Sequence, residues 1–345
     1  MEWDPLKKPI TNGLVAPMKT DLKWLISVVC CFLLISGFHP AQSSEKGLQV
    51  LSDTTIFLPV KSLVKMKWVF PPLDPELVRE ATGQWQKTCF SVDPKGQVWI
   101  GYGNQYLLTP LGGQRIVLSE SYWNFVHLDN GALVFSTAAK IGMMVSGEKL
   151  TTNEKGIPVF PFQPVALLPA HCYRMCKGAG ETLFFLCRDA AKRETSIYLL
   201  KPEKGSSNAG EHGQLRSYRK IFTTSETVTA VAGDDQFTFI ALGKMVVVVS
   251  GKTSKVSRLA SHPSYEISEL VFSPEAGLYY ATTGSVGYIG ADGVFEFLQT
   301  PLPSLFLKGD TLHICFRKNL GVVALENVSE LRNQALLLTS SPRTP

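Results

Sequence analysis

The chain has 345 residues, 45% of them apolar and 18% charged, with a formal net charge of +5. That apolar share excludes a disordered chain, because it can bury enough surface to offset the entropy of ordering. The charge excess is only +4 without residues 1–44, too small to imply a nucleic-acid partner, and Arg216-Ser217-Tyr218-Arg219-Lys220, the densest basic run, reads as a solvated strand or loop edge.

The first element is an uncharged apolar run at residues 24–38, WLISVVCCFLLISGF, with Lys19 and Lys23 before it and Ala41-Gln42-Ser43 after it. This is the three-part layout of a secretory signal, with small residues where a signal peptidase cuts. A helix of that length spans about 22 Å, short of a hydrocarbon core of ~30 Å, so cleavage near Ser43 is favoured over a permanent span. The lysines place the N-terminus on the cytoplasmic side, so the body is expected to be exported, periplasmic or secreted. The alternative keeps residues 24–38 as an anchor in the inner membrane. Ser27-Val28-Val29 lacks the small residue that precedes a lipidated cysteine, which argues against a lipoprotein at Cys30 or Cys31.

One pattern then recurs six times: a turn with Gly or Asp, an apolar run, a small residue, a short gap and a second apolar run. The copies start at Gly96 (GQVWIGYGNQYLL), Gly131 (GALVFSTAAKIGMMV), Gly180 (GETLFFLC, then IYLL from Ile197), Asp235 (DQFTFIALGKMVVVV), Gly277 (GLYYATTGSVGYI) and Asp310 (DTLHICFRKNLGVVAL). The small residues Gly101, Ser136, Cys187, Ala241, Ala281 and Cys315 lie 34 to 54 residues apart. Each copy reads as a hairpin of short strands rich in Val, Ile, Phe, Tyr and Leu. A further run precedes each turn, as in Cys89-Phe90-Ser91-Val92, and a fourth often follows, as in Arg115-Ile116-Val117-Leu118. Four short antiparallel strands per ~40 residues predict an all-β fold, a six-bladed β-propeller. The unbroken Val246–Val249 run fits strands buried on both faces, and the small residues fit blades that taper toward an axis.

Residues 44–339 are thus expected to form one propeller domain, with residues 340–345 as a flexible tail. The segment 47–59 is expected to pair with the last blade and latch the ring. A seven-bladed ring, with residues 47–85 as a degenerate blade, is the structural alternative. Residues 153–164 and 203–213 read as insertions.

Over roughly residues 85–325 the blade pattern resembles the NHL-repeat, SMP-30/gluconolactonase-like and WD40-like propellers, although no Trp-Asp dipeptide ends a blade here. The resemblance implies a binding platform more often than an enzyme. A lactonase-like member would hold a divalent cation with Glu, Asn and Asp oxygens, for which Asn124, Glu266 and Glu269 offer part of a set.

No HxH or HxxxH pair, no nucleophile elbow and no phosphate-binding glycine loop occurs, so no catalytic residue is assigned and no cofactor is expected. A site is expected at the mouth of the central channel, where inner strands begin: Trp85, Trp123, Asn124, His171, Arg174, Glu266 and Glu269, with Gln86, Glu226 and Ser304 beside them. Cys172 and Cys176, four apart on a strand, are expected on one face and too distant for a disulfide, and the cysteines of the body are expected to be mainly free, buried thiols. The favoured function is a non-catalytic scaffold that binds a protein or cell-envelope partner as a monomeric propeller. The alternatives are a cation-dependent hydrolase or lyase and a membrane-anchored sensor.

Overall fold

Short β-branched and aromatic runs separated by glycine turns leave the chain few options besides hairpins, and hairpins are what form. The computed structural model describes residues 55–57, 66–68, 89–102, 106–108, 115–144, 151–154, 156–160, 163–168, 171–200, 218–290, 293–316 and 321–340. The signal-like segment and Trp85 lie outside these residues. Two short strands come first, β1 (Thr55–Phe57) and β2 (Met66–Trp68). The repeat begins with β3 (Cys89–Val92), β4 (Val98–Tyr102), β5 (Tyr106–Leu108) and β6 (Arg115–Leu118). The second unit holds β7 (Asn124–His127), β8 (Leu133–Ser136), β9 (Lys140–Met144), a small hairpin of β10 (Thr151–Thr152) and β11 (Pro158–Phe160), and β12 (Gln163–Leu167). The third is β13 (His171–Lys177), β14 (Leu183–Asp189), β15 (Glu194–Leu200) and β16 (Tyr218–Thr224). The fourth is β17 (Val228–Gly233), β18 (Phe237–Leu242), β19 (Met245–Ser250) and β20 (Val256–Ser261). The fifth is β21 (Glu269–Ser273), β22 (Gly277–Ala281), β23 (Ser285–Gly290) and β24 (Gly293–Gln299). The sixth is β25 (Pro303–Lys308), β26 (Thr311–Phe316) and β27 (Gly321–Glu326), followed by a helix, α1 (Val328–Ser340).

These strands fall into six sheets among the described residues, each an antiparallel meander with its first strand at one edge. The first strands touch in cyclic order, β3 with β7, β13, β17, β21 and β25 in succession, and β25 with β3 again. Six sheets around a closed ring of inner strands make a β-propeller. The inner strands run the same way along the axis: strand starts meet where Arg174 reaches Ser268 O, and strand ends meet where Lys308 reaches Asp93 O.

The small residues of the repeat are all buried and hold one register position. Gly101 pairs with Cys89, Ser136 with Asn124, Cys187 with Cys172, Ala241 with Ala230, Ala281 with Glu269 and Cys315 with Ser304. They sit on the second strand of each sheet, one step out from the axis. The reason for smallness is legible at Gly101, where a Cβ would lie 2.5 Å from Tyr122 Oη and 2.7 Å from Phe125 Cε1 of the next sheet. The turn before each second strand carries a left-handed glycine in five sheets, Gly96, Gly131, Gly180, Gly277 and Gly309, a conformation that only glycine adopts without strain.

Ring closure differs from expectation. It is β2, not the segment 47–59, that pairs with the last sheet, antiparallel to β27 with Lys67 opposite Ala324. β1 instead adds in parallel outside β24 of the fifth sheet, with Ile56 opposite Phe295. The second unit's insertion folds into the β10–β11 hairpin, whose β11 adds in parallel outside β6. Two outer edges that would otherwise expose unpaired backbone are thereby covered by the chain itself.

The helix was not foreseen. Its first turn is fixed by Asp310, which accepts hydrogen bonds from Ser329 N–H at 2.7 Å and Ser329 Oγ–H at 2.8 Å. Val328 and Leu331 are fully buried against Tyr279, Leu312 and Leu325, and Tyr279 Oη–H donates to Val328 O at 2.7 Å. Its anchor is therefore tertiary, with little amphipathic signal in the residues themselves.

Candidate functional site

The inner strands line a half-open pocket of about 100 Å³ near the axis, with Asn124, Arg174, Cys176, Glu269 and Ser304 in its wall together with apolar side chains. Of the residues expected at the channel mouth, Asn124, Arg174 and Glu269 converge here. Trp123 and His171 stand apart on the ring face, in edge-to-face contact at 5.2 Å. Glu266 is exposed on the loop before the fifth sheet, and Glu226 likewise before the fourth.

Arg174 is the centre of the arrangement. Its position follows from a β-bulge: the β13–β14 register shifts between Cys172 and Arg174. The bulge reverses side-chain parity, so that Arg174 and Cys176 share one face and Cys172 takes the other. Cys172 packs with Cys187 and Phe185, whereas Cys176 packs with Phe184. The expectation that Cys172 and Cys176 lie on one face is therefore corrected, because uninterrupted strand alternation does not survive a bulge. Cys89, Cys172, Cys176, Cys187 and Cys315 are all thiols. The Cys172 thiol is pushed far up by its hydrogen bond to Cys187 and by burial.

From that position the guanidinium of Arg174 reaches across the axis. One of its nitrogens donates to Thr229 O and to Ser268 O, the latter at 2.7 Å, and the other lies 3.3 Å from Glu269 Oε1. Glu269 Oε2 accepts Leu305 N–H at 2.6 Å. Asn124 Oδ1 accepts the Cys89 thiol at 3.2 Å. A single side chain thus ties the third, fourth and fifth sheets together.

This donor set does not fit a divalent cation. Both oxygens of Glu269 and the amide oxygen of Asn124 are already engaged, and a guanidinium supplies the positive charge a cation would bring. Glu266 does not line the cavity. Among the described residues no group of three His, Cys, Asp or Glu side chains is placed to hold a metal ion.

At the opposite end of the channel lies a second cluster that the sequence reading missed. Lys177 bonds Asp129 at 2.5 Å and sits 5.3 Å from the Phe306 ring centre, while Lys308 donates to Asp93 O at 2.5 Å and Pro94 O at 2.6 Å. His127 is pushed down to about 4, first by burial, with Asp93 opposing and Lys177 and Lys308 reinforcing. His313 is likewise pushed down to about 4 by burial and by Lys308. No local spacing signals this cluster, since its members come from the ends of separate blades.

The face where inner strands begin carries exposed apolar side chains: Trp123 at 47%, Leu167 at 69%, Tyr265 at 51% and Leu302 at 38%. Tyr265 is held by a buried network. His262 Nδ1 accepts the N–H groups of Ser264 at 3.2 Å and Tyr265 at 2.9 Å, so the proton sits on Nε2, which donates to Glu296 Oε1 at 3.0 Å. Ser285 Oγ–H donates to the same oxygen at 2.6 Å.

No family model matches the chain. No curated protein matches it either. Its fold is similar to that of a gluconolactonase from Xanthomonas campestris, at 10% identity over 76% of this chain and 89% of that one, with a TM-score of 0.51. Looser likenesses are to a calcium-binding regucalcin from Agrobacterium tumefaciens (13% identity, 79% and 95% covered, TM-score 0.48) and to the WD40 domain of Pan2 from Neurospora crassa (9% identity, 78% and 97% covered, TM-score 0.46). At these identities the likeness establishes the fold, a β-propeller, and nothing about chemistry.

Proposed function

We propose that this is a six-bladed propeller acting as a non-catalytic binding scaffold, which recognises a protein partner of the cell envelope through the face where its inner strands begin. One observation carries the reading: Trp123, Tyr265 and Leu302, from loops leading into three different blades, and Leu167, the last residue of β12, are exposed on that face. Aromatic side chains of this kind dominate binding hot spots. The channel supports the same reading, since about 100 Å³ is well below the ~300–1,000 Å³ of ordinary small-molecule sites. In this reading Arg174 is an internal pin and no longer a surface contact.

The test is quantitative co-purification of envelope proteins with the full chain, a Trp123→Ala/Leu167→Ser variant, and a Tyr218→Ser control on the opposite side of the ring. Loss of the same bands in the first variant alone is expected. Equal recovery from all three overturns the proposed face. The lactonase-like reading rests on the blade pattern, and a melting temperature that rises with calcium and falls with chelator would favour it over the scaffold. Delivery by residues 24–38 belongs to the same proposal. N-terminal sequencing of the exported chain is expected to begin near Ser43, whereas retention of the segment would favour an anchored sensor.

A further inference from the structure

Cys172 and Cys187 stand opposite each other on β13 and β14. Their thiols are hydrogen-bonded to one another and pack in the same buried cluster. Opposed residues of an antiparallel pair have Cα atoms ~4.5–5.5 Å apart, inside the ~4.4–6.8 Å that a disulfide spans. The bulge makes this pair. Carried back without it, the register that sets Arg174 against Leu186 would put Tyr173 against Cys187; the bulged Tyr173 leaves that place to Cys172. No other two cysteines are paired in register among the described residues: Cys89 faces Gly101, Cys176 faces Phe184, and Cys315 faces Ser304 and Val322. Packing does not ask for sulfur on both sides, since the equivalent pair is Ala230 with Ala241 in the fourth sheet and Asn124 with Ser136 in the second.

We propose that Cys172 and Cys187 are a dithiol that a disulfide oxidant closes to a cross-strand disulfide, fixing β13 to β14 at the bulge. Both sulfurs lie one rung inside the exposed pair His171 and Arg188, so opening that end of the sheet gives the oxidant access. In the closed sheet the Cys172 thiol is held far up by its hydrogen bond with Cys187 and by burial, and the thiolate is the nucleophile, so reaction follows opening. One thiolate then attacks the oxidant's disulfide and expels one thiol. The other attacks the protein sulfur of that mixed disulfide and expels the second. The protein gives up two protons and two electrons, and the oxidant leaves as two thiols. In the reduced form the Cys172 thiol donates to Arg174 O at 3.3 Å. The bridge withdraws that donor and anchors the strand beside the guanidinium that joins three blades. The inference does not depend on the face proposed for a protein partner.

The experiment incubates the full chain with oxidised glutathione, and in parallel with dithiothreitol, in urea just below the unfolding transition, and then returns it to buffer. Remaining thiols are alkylated and unreduced peptides are mapped, for the wild type and for Cys187→Ala, which places at this position the residue that Ala241 supplies in the fourth sheet. Peptides joined through Cys172 and Cys187, lighter by two hydrogens than the reduced pair, are expected in the oxidised wild type alone. The bridge closes a loop of about 15 residues, so the oxidised wild type should melt roughly 5 °C above the reduced form. Cys187→Ala should melt alike after both treatments. The proposal is overturned if both thiols are still alkylated after oxidation. It is also overturned if either is recovered only as a glutathione adduct or joined to another cysteine. A bridged chain that melts no higher than the reduced one overturns it as well, since the native register would then reject the bond.

Discussion

Replacing Arg174 by Met tests the pin that joins three blades. The substitution keeps the aliphatic stem and deletes two bonds to backbone carbonyls and one to a buried carboxylate. Charged hydrogen bonds contribute about 1.5–3 kcal/mol each, offset by the cost of desolvating the guanidinium. Breaking one side of a buried pair leaves the other uncompensated, and Glu269 has side-chain exposure of only 11%. The expected loss is therefore about 3–5 kcal/mol. Glu269→Gln should cost less, because its amide oxygen still accepts Leu305 N–H. The double variant Arg174→Met/Glu269→Gln should be less destabilised than the sum of the two, by a coupling of about 1–3 kcal/mol. Urea unfolding of all four proteins gives the cycle. A loss below about 1 kcal/mol for Arg174→Met, or strict additivity in the cycle, would refute a guanidinium that holds the ring.

Gly101→Ala should destabilise by about 1–3 kcal/mol through overpacking against Tyr122 and Phe125, read by the same unfolding assay. Leu331→Ala should cost about 2–5 kcal/mol if α1 is part of the folded unit, since that side chain is fully buried. His127 and His313 have folded values near 4, below the ordinary 6.5, so the unfolded chain binds more protons between those limits. Stability should accordingly fall as pH drops from about 6.5 to 4, by up to ~3 kcal/mol per histidine, and stay level above that window. His127→Gln/His313→Gln should flatten the slope in that window, and an unchanged slope would remove both histidines as its source.

The sequence disclosed what repeats. Turn glycines, paired apolar runs and the small residue between them recur in register, so the propeller's sheets among the described residues, and their inner strands, were legible from Gly101, Ser136, Cys187, Ala241, Ala281 and Cys315. What it hid was whatever depends on a departure from the repeat. The latch is such a case: three residues, Met66–Trp68, close the ring by backbone pairing, and backbone pairing leaves no side-chain signature. The helix is another, because its hold on the ring lies in Asp310 and Tyr279, far from it in sequence.

The site turns on the smallest departure of all. With regular alternation along β13, Arg174 would share a face with Cys172 and Cys176. One bulged residue, Tyr173, sends the guanidinium across the axis instead, onto the carbonyls of the next two blades. Related register shifts occur in β17 between Val228 and Ala230, beside the carbonyl of Thr229 that Arg174 meets. Two bulges on neighbouring inner strands therefore bring donor and acceptor together at one level of the channel. A residue inserted by a bulge changes which atoms reach the axis without changing which residues are apolar. Composition and periodicity could thus place Arg174 and Glu269 near the channel, but only the register could show that they occupy each other.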